Sequence, residues 1–314
     1  MTVPHYAEEA FFNAVAGVHV DGLTLRCRVN HNNDGFDIRA RNVLIENCDL
    51  DCSDDAIVIK NRREWTPSDY VVENVEIRNC LVSGEVNAFK IGTETSGDIR
   101  NISVHDLVVT NRGVNRIHKW LPKRLAGGFK PGAPRQDGLV LHGWWSDDTA
   151  PFDRGTICPV SIESVDGATV ENVTVRNVTF SDAVAPLYIR LGARNRGNTD
   201  GRRGALRNVL VENLKGRCQG RFPVQVTGLP ELRAEGITLR NLDVTGPGGP
   251  ALADTGKPVP ECETMYPECE NFYHYLPAWG LYARHVDGLK VENCSFATVR
   301  PDVGREKVVM DDVR

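Results

Sequence analysis

The chain lacks any apolar run approaching the roughly eighteen residues that a membrane-crossing helix needs, so no membrane partner is expected. Helical periodicity is nearly missing; residues 8–15 are the best short candidate, and an α-rich fold is excluded. There is no excess of positive charge either: the formal net charge of −5 argues against a general nucleic-acid binder. No Cys/His spacing matches a zinc site, and no metal or cofactor is expected. The first residues, Met1-Thr2-Val3-Pro4-His5, show neither the basic start nor the apolar run of a signal peptide. Nine cysteines is an odd number, which rules out a fully paired disulfide frame within the chain. Cys27, Cys48, Cys80 and Cys294 recur at equivalent places in a repeat, which reads as packing; only Cys262 and Cys269 look like a pair.

What the chain does contain is a short repeat: apolar, any, apolar, any, Asn, then a small or apolar residue. It appears as Val43-Leu44-Ile45-Glu46-Asn47-Cys48 and Val75-Glu76-Ile77-Arg78-Asn79-Cys80. It returns as Ile102-Ser103-Val104-His105-Asp106-Leu107 and Val173-Thr174-Val175-Arg176-Asn177-Val178, with later copies at 209–214, 237–242 and 289–294. Leu23-Thr24-Leu25-Arg26-Cys27 reads as a degenerate first copy. Alternation with period two and β-branched residues gives short, half-buried strands. Asn at a strand end suits a turn, because it tolerates left-handed geometry. The expected fold is all-β, a single-domain right-handed parallel β-helix over residues 1–314, with loops inserted between coils. Asn47, Asn79, Asn177, Asn213, Asn241 and Asn293 would then form an internal ladder, with Asp106 as one rung. Asn101, Asn172, Asn177 and Asn293 fall in Asn-X-Ser/Thr sequons, and burial on the ladder would shield them from glycosylation. The alternative, a β-sandwich, requires hairpin turns, which are scarce.

Within this pattern three carboxylates stand out: Asp34 in Asn32-Asn33-Asp34-Gly35-Phe36-Asp37, and Asp54 with Asp55 in Ser53-Asp54-Asp55-Ala56-Ile57-Val58-Ile59-Lys60. In stacked coils, residues one repeat apart lie about 4.8 Å from each other. Glycoside hydrolysis by inversion needs such a gathering, with an acid and a base about 6.5–9.5 Å apart to leave room for water. Repulsion among clustered carboxylates raises at least one pKa, which keeps a proton available for the acid. Neighbours in a regular strand point to opposite faces, so Asp54 and Asp55 reach one cleft only where the backbone leaves strand geometry.

Two long interruptions are expected, at about 112–136 and 247–276. The first carries Arg112, Arg116, Lys119, Lys123, Arg124, Lys130 and Arg135 with Trp120 and Phe129 and no acid; Trp144 and Trp145 follow. It reads equally as a solvated insertion and as a basic, aromatic surface for an anionic sugar chain. The second, rich in Pro, Gly and Glu, reads as a lip of the same groove or as a surface loop.

These motifs resemble glycoside hydrolase family 28, the polygalacturonases and rhamnogalacturonan hydrolases. Asn32-Asn33-Asp34-Gly35 matches its Asn-X-Asp-Gly motif, and Ser53-Asp54-Asp55 with Lys60 matches its Gly-Asp-Asp motif with Ser for Gly. The resemblance runs from about residue 17 to the end, and its segments 89–95, 185–192 and 276–282 are similar to a bacterial branch. It implies a right-handed parallel β-helix that hydrolyses pectic polysaccharide or oligosaccharide, secreted or periplasmic, with some N-terminal coils of the family missing from this sequence. Residue by residue, it implies Asp54 as general acid and Asp34 with Asp55 as activators of water. Asn32 and Lys60 are then substrate or acid-orienting contacts, and Asn87, Lys90 and Arg190 further substrate contacts. Asn87 stands where the family carries a histidine, and the family's Arg-Ile-Lys has only imperfect counterparts in residues 139–142 and 189–192. Two alternatives remain open: a polysaccharide lyase on the same fold, and a non-catalytic carbohydrate-binding or structural β-helix.

Overall fold

A computed structural model describes residues 10–28, 33–67, 69–112, 156–252, 254–272 and 275–314. The coils unfold in chain order as β1 (Ala10–Asp21), β2 (Thr24–Cys27), β3 (Phe36–Glu46), β4 (Asp49–Cys52), β5 (Ile57–Asn61) and β6 (Val72–Gly84). They continue as β7 (Asn87–Thr95), β8 (Ile99–Val109), β9 (Cys158–Ser164), β10 (Thr169–Ala183), β11 (Tyr188–Leu191) and β12 (Ala205–Cys218). The last are β13 (Val224–Thr227), β14 (Ala234–Arg240), β15 (Asp243–Gly246), β16 (Ala278–Asp287), β17 (Lys290–Glu292), β18 (Ser295–Thr298) and β19 (Glu306–Val313). Pairing between these strands is parallel throughout, each residue sitting over its equivalent one coil away. This is a parallel β-helix, and it sets aside the sandwich, whose strands would pair antiparallel. Among the described residues no helix is long and apolar enough to cross a membrane.

Each coil turns through three faces. Face one carries β5, β7, β9, β11 and β13 with the equivalent starts of β3, β16 and β19. Face two is the four-residue repeat itself, Val43-Leu44-Ile45-Glu46 and its copies. Face three follows the ladder Asn and includes β2, β4, β15 and β18. Inside, Val43 and Ile45 continue a buried aliphatic column through Val75 and Ile77, Ile102 and Val104, Val173 and Val175, and Val209 and Val211.

Two corners bound face two, and both adopt left-handed backbone. The expected ladder, Asn47, Asn79, Asp106, Asn177, Asn213, Asn241 and Asn293, lies at φ of 52–58°. A second ladder runs at the other corner through Asn42, Asn74, Asn101, Asn172 and Asn208, and then Gly236 and Gly288 take the same position. Only Gly and short polar residues such as Asn visit this region cheaply. Side chains add hydrogen bonds between coils: Asn177 donates to Asp106 at 2.9 Å, Asn213 to Asn177 at 2.8 Å and Asn241 to Asn213 at 3.0 Å. The second ladder is bonded likewise, from Asn74 to Asn42 at 3.0 Å and from Asn172 to Asn101 at 3.1 Å.

Several expectations are corrected. The ladders lie outside, not inside: a left-handed corner turns the asparagine outward while the next residue enters the core, so Asn47, Asn79 and Asn213 are exposed. Asn101, Asn172, Asn177 and Asn293 are exposed as well, and burial does not shield those sequons. The first true copy of the repeat is Val18-His19-Val20-Asp21, which pairs with Val43 to Glu46, whereas Thr24–Cys27 belongs to face three. Cys27 accordingly sits over Cys52, while Cys48, Cys80 and Cys294 occupy one packing position with Leu107, Val178, Leu214 and Leu242. Residues 8–15, the best short helical candidate, are strand from residue 10 onward, since pairing with β3 overrides local preference and Ala14 has φ of 53°. No disulfide joins Cys262 to Cys269; Cys269 is buried among Tyr188, Phe272 and Leu276. Residues 113–155, with Trp120, Phe129, Trp144 and Trp145, lie outside the described residues, while Arg112 pairs with Asp49 on face three.

The second insertion packs against the solenoid. It lies across the outer side of face one, held by Arg284 donating to the Val259 carbonyl at 2.7 Å and Gln225 to the Cys269 carbonyl at 3.1 Å. Beneath it Tyr188, Phe222, Cys269, Phe272, Leu276 and Tyr282 make a second apolar cluster. Replacing Asn177 by Ala should cost about 1–2 kcal/mol in urea unfolding, from the strained φ and lost rung bonds, and replacement by Gly should cost less. Equal losses for the two variants would contradict the left-handed corner as the cause.

Candidate active site

The site forms where the third corner meets face one. Between β4 and β5 the residues 53–56 leave strand geometry, which removes the alternation that would have sent Asp54 and Asp55 to opposite sides. Counting back along both chains from the Phe36–Ile57 and Ile57–Phe89 pairs places Asp34, Asp55 and Asn87 in one column. Backbone hydrogen bonds fix this corner: Gly35 N–H donates to the Asp55 carbonyl at 2.9 Å and Ala56 N–H to the Asn87 carbonyl at 2.8 Å. Glycine is required by the close approach of coils. A Cβ on Gly35 would lie 2.2 Å from the Ala56 oxygen, and one on Gly84 would lie 2.2 Å from the Asn87 oxygen.

Two lysines sort the carboxylates. Lys60 Nζ donates to Asp34 at 2.8 Å and to Asp37 at 2.9 Å, and Arg39 also donates to Asp37 at 3.0 Å. Burial works against the charge of Lys60, but Asp34 and Asp37 outweigh it and hold its pKa well above the ordinary lysine value. Lys90, only 1 % exposed, places Nζ 3.7 Å from Asp55, Glu163 and Glu268 alike. Here too burial opposes the charge and the acids prevail, so Lys90 stays a cation. Asp55 is further held through its other oxygen, which accepts from the Asn87 backbone N–H at 3.0 Å and from Asn87 Nδ2 at 2.7 Å.

Asp54 differs from both. It has no lysine or arginine partner among the described ion pairs, and its Oδ1 accepts from the Asp55 N–H at 2.8 Å. Burial first, then the charges of Asp55 and Asp34, raise its carboxyl well above the usual carboxylate range. Two carboxylates that face cations thus stand beside one whose carboxyl is pushed up, which is the division of labour that acid–base chemistry needs.

The structure brings Asp34, Asp54, Asp55, Lys60, Asn87 and Lys90 together. Asn32 lies outside the described residues. Asn87 and Lys90 are buried behind Asp55 and touch that carboxylate. Arg190 stands apart from the acids' hydrogen bonds: it donates to the Gly228 carbonyl at 3.0 Å and the Glu261 carbonyl at 2.7 Å, tying the insertion to face one. Sequence reasoning missed Asp37, Glu163 and Glu268. The first two sit at outward positions of face one, in Phe36-Asp37-Ile38-Arg39 and Val160-Ser161-Ile162-Glu163, a second repeat whose alignment would have exposed them. Replacing Lys60 by Met should destabilise the fold by about 3–5 kcal/mol, because Asp34 and Asp37 would lose their shared buried cation. A loss under about 1 kcal/mol in urea unfolding would show that this pairing contributes little.

No family model matches the chain, and no curated protein sequence matches it. Solved structures do. The hyperthermoactive exopolygalacturonase of Thermotoga maritima superposes with a TM-score of 0.53 at 20 % identity, over 77 % of this chain and 45 % of its own. The family 28 exopolygalacturonase of Yersinia enterocolitica gives 0.53 at 13 % identity, over 97 % of this chain and 43 % of its own. The chain therefore spans less than half the length of each. At these identities the likeness concerns the fold, and in that respect the chain has the parallel β-helix of the family 28 exopolygalacturonases.

Proposed function

We propose that the chain is a glycoside hydrolase acting on uronate-containing, pectic saccharides by a single inverting displacement. The observation that carries this reading is the half-buried Asp54, with no lysine or arginine ion pair among the described residues and its carboxyl pushed up by burial, beside Asp34 and Asp55, which face Lys60 and Lys90. Asp54 donates the proton to the leaving oxygen. Asp34 and Asp55 accept hydrogen bonds from the attacking water and take its proton, as the inverting scheme requires. Lys60 keeps Asp34 anionic and presents positive charge at the surface of the site, where a uronate carboxylate docks. Asn87 and Lys90 act from behind, by orienting Asp55. Calcium-assisted elimination fits less well, since the carboxylates that would bind the ion already hold lysines.

Two observations favour attack from a chain end. The insertion lies across face one and brings Glu268 to Lys90 beside Asp55, which would restrict a saccharide chain on that side. The structures with the same fold are described as exopolygalacturonases. Reducing-end release from polygalacturonate, rhamnogalacturonan and short galacturonate-capped oligomers tests the reading. Wild type should release single sugars, and Asp54→Asn should lower the rate by about 10²–10⁴-fold with the fold intact. Undiminished release by that variant would remove Asp54 from its role, and a product absorbing in the near ultraviolet would assign a lyase instead.

A further inference from the structure

Three carboxylates converge on Lys90 from separate parts of the chain: Asp55 from the third corner, Glu163 from β9 and Glu268 from the insertion. One lysine cannot neutralise three carboxylates. Ionising all of them would strand two negative charges where Glu163 is 0 % and Glu268 8 % exposed, which is costly for an uncompensated buried ion.

The hydrogen bonds show which acid keeps its charge. Asp55 receives two donors from Asn87 on one oxygen and faces Lys90 with the other. Among the described residues Glu163 receives only Ser161 Oγ, at 2.7 Å on Oε1, and its Oε2 is buried without a hydrogen-bond partner. That bare oxygen is tolerable on a neutral carboxyl and costly on an ionised one. Gly92 makes this placement possible: a Cβ there would meet the Glu163 side chain at 3.1 Å. For Glu268, Lys90 is the one ionic contact among the described residues.

We infer that Glu163 and Glu268 are positioning residues held in their neutral form, so that the charge of Lys90 is committed to Asp55 and keeps that carboxylate ionised and oriented. The inference rests on the reading of Asp55 as an activator of water. It also gives the insertion a part in the chemistry, because Glu268 reaches Lys90 only when residues 247–276 lie down on face one.

The groups facing Glu163 are Lys90, Asp55, Glu268, Tyr188 and Cys158, with Arg190 as its partner on β11 and Tyr266 beyond Lys90. Arg190 is committed to backbone carbonyls, which leaves Lys90 as the cation that responds. Burial pushes the Glu163 carboxyl up to about 8 against the pull of Lys90, with Glu268 and Asp55 adding to the rise. A raised carboxyl pKa means that the folded protein holds a proton the unfolded chain has lost. The corresponding stability is complete below the unfolded value of 4.5 and drains away as pH climbs toward 8.

Urea midpoints from about pH 5 to about pH 9 for wild type, Glu163→Gln and Glu268→Gln test the proton assignment without reference to activity. Wild type should lose stability across the window and each variant should flatten the loss; curves parallel to wild type for both variants would overturn the inference. The acidic limb of kcat, on whichever substrate responds, tests the positioning. It should coincide in wild type and Glu163→Gln, and should move up by about one unit in Lys90→Met, where Asp55 loses its cation. An acidic limb displaced in Glu163→Gln would show Glu163 ionised in the working range and refute the assignment. Should wild type turn over no substrate, the glycosidase reading falls, and the stability curves still decide whether the two glutamates are neutral.

Discussion

Everything in this protein follows from stacking at a fixed distance. Backbone hydrogen bonds between parallel strands hold each residue about 4.8 Å from its equivalent one coil away. A residue type repeated at one position therefore becomes a continuous column. Apolar residues in such a column build the core, and asparagines build a hydrogen-bonded rail. Acids in such a column repel each other unless cations come between them. The site meets this condition by alternation: the corner-column acids Asp34 and Asp55 face Lys60 and Lys90 carried on face one, where Asp37 shares Lys60.

The same constraint explains why one carboxylate is set apart. Asp34 and Asp55 are copies in one column and each is within reach of a lysine; Asp54, one residue earlier, is off the column and meets none in an ion pair. Its carboxyl is pushed up by burial and by the negative charge of its neighbours. Chemical asymmetry thus arises from a nearly periodic scaffold through a shift of a single residue at an irregular corner.

Much of this was legible in the sequence, because periodicity and left-handed corners both leave marks there. The repeat ending in Asn47, Asn79 and Asn177 declared the parallel coils, and Asp34 with Asp54 and Asp55 declared the acids. Less legible was anything that depends on which way a side chain turns. The sequence suggests an internal asparagine ladder, yet φ of 57° turns Asn47 outward. The second ladder, Asn42 to Asn208, begins one residue before each copy of the repeat and passes unnoticed when only the strand is aligned. Glu163 and Glu268 lie far from the acid motifs along the chain, and only coil register and a folded insertion carry them to Lys90.

The two asparagine rails also decide where this scaffold is able to change. The corner between faces two and three is one residue in every coil, with no room for an added segment. Among the described residues the long excursions leave instead from a corner flanking face one: 62–71, 192–204 and 247–277. One edge of the solenoid is in effect a keel, invariant in length, and the opposite sheet collects all the variation at its margins. On this plan the margins of face one can lengthen or shorten while the rail that keeps successive coils in step is left untouched.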